Sequence, residues 1–95
     1  MPRPLVFSWA VRMSRADSVG VLDGLMDDWY SQVRADRGLH AAVGFDSSME
    51  RRDWDGAKGS IERTYGRSSR DHQGALDTLA AAIQCKRMLR VPAVR

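Results

Sequence analysis

Residues 5–13 read LVFSWAVRM, and how they are read decides the fold. Leu5, Phe7, Trp9, Val11 and Met13 fall on alternate positions, with Val6, Ser8, Ala10 and Arg12 between them. Side chains alternate across a strand with a period of two, so this spacing predicts a half-buried strand. A helical alternative uses only Leu5, Trp9 and Met13. A second run is similar: Leu39, Ala41, Val43 and Phe45 alternate with His40, Ala42 and Gly44, which predicts a second short strand. A third strand is available at 89–94, where Pro92 would hold it at a sheet edge.

Between the two runs lies a helical pattern. Leu22, Leu25, Met26, Trp29 and Val33 recur at intervals of three and four, and Ser14 and Asp17 are helix-start residues. A helix is predicted over 16–36, with Gly38 as its stop. Gly20 and Gly24 share one face of it and suggest that another backbone comes close there. Strand, helix, strand is the order of a unit whose strands run parallel.

The second half is helical. Ser47 with Glu50 has the form of a capping box. Trp54, Ala57, Ile61 and Tyr65 follow at helical spacing, though Gly56 and Gly59 suggest two short pieces. After Gly66 comes a strong helix, with Ser69 or Asp71 as cap and Leu76, Leu79, Ala80 and Ile83 facing inward. Lys86, Arg87 and Arg90 stand at its negative end. The expected fold is α+β: a small, helix-dominated single domain over residues 1–95. It has two or three short strands, a long first helix and a C-terminal helical pair. An all-α bundle is the alternative.

Composition bounds the function. Apolar residues make up 43% and charged residues 28%, which is ordinary for a folded domain of this length. One cysteine, Cys85, excludes an internal disulfide and a cysteine-built zinc site, and is expected as a small core residue. It fits a reducing compartment, so a cytoplasmic protein is expected. Residues 1–16 hold three Arg and no acid, a composition like that of a transit peptide. An organellar matrix protein with an uncleaved N-terminus is therefore the alternative location. No apolar run approaches the roughly 20 residues of a membrane span.

Little in the motifs supports catalysis, and no cofactor or metal is expected. Asp23 and Asp27 share a helix face, but that reads as a solvated acidic surface. Residues 53–56, DWDG, set two carboxylates around Trp54 with no second cluster to work with. Ser69, Asp71 and His72 are sequence neighbours, whereas a catalytic triad meets through the fold. The glycines of GAKGS at 56–60 lack phosphate-loop spacing. An enzyme would need Asp27, Asp53 or His72 gathered in one pocket.

Charge and aromatics point instead to binding. The net charge is +3, all of it carried by residues 46–95, and Arg outnumbers Lys thirteen to two. Trp and Arg dominate interface hot spots. The expected function is a non-catalytic protein–protein interaction module: an accessory subunit, adaptor or inhibitor that docks on another protein. A homodimer is also possible. Trp9, Trp54, Arg51 and Arg52 are the expected contact residues. The alternative is nucleic-acid binding by a helix-turn-helix-like pair at 61–87. There Gly66 would make the turn and Arg67, Arg70 and Gln73 would face phosphates and base edges. The motifs assign the chain to no family.

Overall fold

The computed structural model of the chain describes residues 8–91. Among them there is no strand; the fold is all-helical. Six α-helices follow one another: α1 (Trp9–Ser14), α2 (Val19–Gln32), α3 (Arg37–Ala41), α4 (Phe45–Glu50), α5 (Trp54–Tyr65) and α6 (Gln73–Arg90). A 3-10 turn at Val33–Ala35 follows α2, and another at Arg70–His72 leads into α6. The α+β expectation is therefore overturned, and the helical alternative holds.

Each expected strand fails for a physical reason. Ser8 caps α1 by accepting a hydrogen bond from the Val11 amide at 3.2 Å. The helix turns Trp9 and Met13 inward and leaves Val11 exposed, so the working period is four and not two. Leu5, Val6 and Phe7 lie outside the described residues. In the second run the buried positions are Leu39, Ala42 and Phe45, spaced by three, while Val43 is 86% exposed. The Asp36 carboxylate caps α3 by accepting from the Leu39 amide at 3.2 Å. Gly44, at a φ of 90°, then turns the chain into α4. Of the third run, Leu89 and Arg90 form the last turn of α6, and residues 92–94 lie outside the described range.

The helices differ from expectation in detail. Ser18, not Ser14 or Asp17, caps α2, accepting from the Val21 amide at 3.1 Å. Gly38 stops nothing; it sits inside α3, and Gly20 and Gly24 meet no neighbour where a Cβ would stand. The Ser47 hydroxyl donates back to the Gly44 carbonyl instead of forming a capping box. By contrast α5 is one continuous helix through both of its glycines, capped by Asp53. In α6, Leu76, Leu79 and Ile83 are buried as expected, but Ala82 and Cys85 join them and Ala80 is exposed.

The core lies where α1, α2 and α5 meet α6, and its most extensive helix pairing is α1 with α6. Met13, Leu22, Leu39, Phe45, Ile61 and Leu79 are fully enclosed or nearly so. The Trp29 ring meets Phe45 edge-on, 6.4 Å between centroids. Burial pushes the Cys85 thiol up from its ordinary value, which suits an inert core residue. No helix among the described residues is long and apolar enough to cross a membrane.

Candidate functional site

Among the described residues, three grooves run along α6; one lies at its start, one at its end, and a third, between it and Ser14 and Ala16, is lined by Ala81, Gln84, Cys85, Met88 and Leu89. The leading groove has a volume of about 420 Å³. Trp9 and Ala10 of α1, Trp29 of α2, Val33 and Leu39 supply its apolar wall, with Ala75 of α6 opposite. Its charged residues are Asp36, Asp71 and Asp77, beside His72. No Lys or Arg is among its described lining residues, although the chain is basic and the Arg12 guanidinium lies 4.4 Å over the ring of Trp9.

The corner between α5 and α6 builds this end. Gly66, at a φ of 91°, ends α5. The Tyr65 ring then stacks on His72, 4.1 Å between centroids and 13° from parallel. The Tyr65 hydroxyl donates to the Gly38 carbonyl at 2.5 Å, which ties the corner to α3. A Cβ at Gly38 would stand 2.9 Å from His72 Nε2, so any larger residue there would push on the stacked ring. Ser69 Oγ lies 3.2 Å from His72 Nδ1, holding the ring from its other side. A stacked, hydrogen-bonded pair, Tyr65 with His72, thus locks the corner.

The trailing groove has a volume of about 250 Å³. Arg52, Asp53, Trp54 and Asp55 come from the α4–α5 turn and the start of α5. Ile83, Lys86, Arg87 and Arg90 come from the last turns of α6. Trp54 forms its floor and is 3% exposed, so its ring is core. Lys86 Nζ sits 4.4 Å above that ring. Arg52 pairs with Asp27 at 2.8 Å and lies 3.8 Å from Asp23. Asp23 Oδ1 is buried without a hydrogen bond, so its link to Arg52 is purely Coulombic. Arg52 has a φ of 55°, a left-handed backbone that costs a non-glycine residue roughly 1–2 kcal/mol. Arg51 and Arg87 face Asp53 and Asp55 at 3.9 and 3.8 Å.

The structure thus brings Arg51, Arg52 and Trp54 to the trailing end and adds Lys86, Arg87 and Arg90, which the sequence placed only as helix-end cations. Trp9 lies apart, half-buried in the leading groove with the Arg12 guanidinium 4.4 Å over its ring. Arg67 and Arg70 are exposed near the corner, while Gln73 donates to Asp77 at 2.8 Å. Asp27, Asp53 and His72 are not gathered: His72 lines the leading groove, Asp53 the trailing one, and Asp27 neither.

One cluster has no sequence signal. Tyr30 donates to Asp46 Oδ1 at 2.6 Å, and His40 Nδ1 lies 2.6 Å from the same oxygen. His40 Nε2 faces the Val33 carbonyl at 3.1 Å. Burial first, then the bond to Asp46, pushes the Tyr30 phenol up to about 12. The residues are ten and six apart in the chain, and a strand reading of 39–45 hid their meeting. No described groove reaches them, so the cluster ties α2, α3 and α4 together. Comparison with known proteins finds no family model, no curated relative and no solved structure that matches the chain.

Proposed function

We infer that the chain is a small, non-catalytic docking module that binds an acidic segment of another protein through the trailing end of α6. One observation carries this reading: four cations, Arg52, Lys86, Arg87 and Arg90, converge on one hollow. Arg52 is held by Asp27 at 2.8 Å, but among the described residues ion pairs hold the α6 cations loosely or not at all. Arg87 and Asp55 are 3.8 Å apart and both largely exposed. Such pairs contribute only about 0–1 kcal/mol, so a partner's carboxylates exchange with Asp53 and Asp55 at little cost. Arg90 has no ion pair among the described residues. The two aspartates on the same rim disfavour a run of phosphates, which supports a protein partner over a nucleic acid.

Trp54→Ala is the wrong test, since deleting a core ring costs about 3–5 kcal/mol by itself. The charge reversal Arg87→Glu with Arg90→Glu leaves the core intact. Crosslinked capture followed by mass spectrometry should recover a protein with the unaltered chain and lose it with the double variant. Equal recovery by both chains would sink the docking face. Duplex DNA binding that falls steeply with salt and weakens in Arg67→Ala with Arg70→Ala would instead favour the nucleic-acid alternative.

A further inference from the structure

We propose that the leading groove is a binding site for a small organic cation with an aromatic or aliphatic body, such as an arylalkylamine. This site is separate from the docking face and does not depend on it. The groove's volume of about 420 Å³ falls within the range of small-ligand sites. Trp9, Trp29 and Leu39 give it an apolar wall that suits the body of such a ligand. Its charges decide the sign. Asp36, Asp71 and Asp77 form no ion pair among the described residues. The trailing groove differs: Asp53 and Asp55 each face an arginine of the chain.

Hydrogen bonds within the protein do not neutralise the three. Asp36 Oδ1 accepts from the Leu39 amide and Asp77 Oδ1 from the Gln73 side chain. Both donors are neutral, so neither bond brings a compensating positive charge. Asp71 has no hydrogen bond or ion pair among the described residues. Three uncompensated carboxylates beside an apolar wall, in a chain of net charge +3, are complementary to a cation that buries its body and leaves its ammonium at the rim. Attraction of this kind is worth more beside a low-dielectric wall than in open water.

The test pairs two ligands of the same shape and opposite charge. Phenethylamine and phenylacetate are titrated into the full chain, and amide NMR shifts are followed at Ala10, Ala75 and Thr78. Phenethylamine should saturate these shifts in the millimolar range, and phenylacetate should leave them unmoved. Asp71→Asn with Asp77→Asn should weaken phenethylamine at least tenfold while the helical circular dichroism stays unchanged. Equal binding of both ligands, unchanged affinity in the double variant, or no shift with phenethylamine overturns the proposal. So does a tetra-arginine peptide that moves the same amides when phenethylamine does not, because the site would then read a protein segment.

Discussion

The two ends of α6 are built on opposite terms. At its start, aromatic stacking and directed hydrogen bonds hold the corner, and three carboxylates are left without cations. At its end, Arg52 ties the α4–α5 turn to Asp23 and Asp27 of α2, Arg87 of α6 faces Asp55 of α5, and the surplus charge is positive. The helix macrodipole favours this order, acid near the N-terminus and base near the C-terminus. The difference teaches that stability and available charge separate in so small a domain. Directed contacts leave Asp36, Asp71 and Asp77 without an ion pair among the described residues, while an exposed pair such as Arg87 with Asp55 is held only weakly.

The largest expected break is at the leading end. Trp29→Ala removes a buried ring that packs on Phe45 and walls the groove, and should cost about 3–5 kcal/mol in a denaturant titration. Tyr65→Phe keeps the stack on His72 and loses only the bond to the Gly38 carbonyl. A loss of about 1–2 kcal/mol is expected, and no loss would mean that stacking alone holds the corner.

A pH titration isolates the third tie. The Tyr30 phenol is raised from 10.0 to about 12, so the folded state holds this proton more tightly than the unfolded chain. Its contribution is complete below pH 10 and is lost as pH rises from 10 to 12. Thermal melts across that window should fall less steeply in Tyr30→Phe than in the unaltered chain; equal slopes would remove Tyr30 from the account.

The outer face of α2 belongs to neither end and serves as a control. A Cβ at Gly20 or Gly24 meets nothing within 4 Å, so Gly20→Ala and Gly24→Ala should each stabilise by roughly 0.5–1 kcal/mol. The smallest effect is expected at the trailing end. Arg87→Ala should change stability by less than about 1 kcal/mol, measured by the same titration, because its pair with Asp55 is long and exposed. A larger loss there would erase the contrast between the two ends.

Much of the second half was legible in the chain. Trp54, Ala57, Ile61 and Tyr65 mark one face of α5, and Leu76, Leu79 and Ile83 mark α6, because long periodic segments declare their own geometry. The cations at the end of α6 were also readable, but the caps were not: neither Ser69 nor Asp71 caps α6, and Asp36 and Asp53 cap α3 and α5 instead. The first half was not. In runs as short as 9–14 and 37–41, periods of two and of four select nearly the same few apolar residues. Small residues such as Ala41, Ala42 and Gly44 carry too little signal to separate them.

By itself, then, the sequence determined the apolar faces of α5 and α6 and the gathering of positive charge beyond residue 46. Only the tertiary structure decided that Trp9–Ser14, Arg37–Ala41 and Phe45–Glu50 are helices, since a short helix is marginal until its apolar face is buried, here against α6 and the Phe45 core. It also decided which charges are free. Asp36, Asp71 and Asp77 meet through three separate elements, and Trp54, exposed by no rule of composition, is enclosed because Lys86 and Ile83 close over it from the far end of the chain.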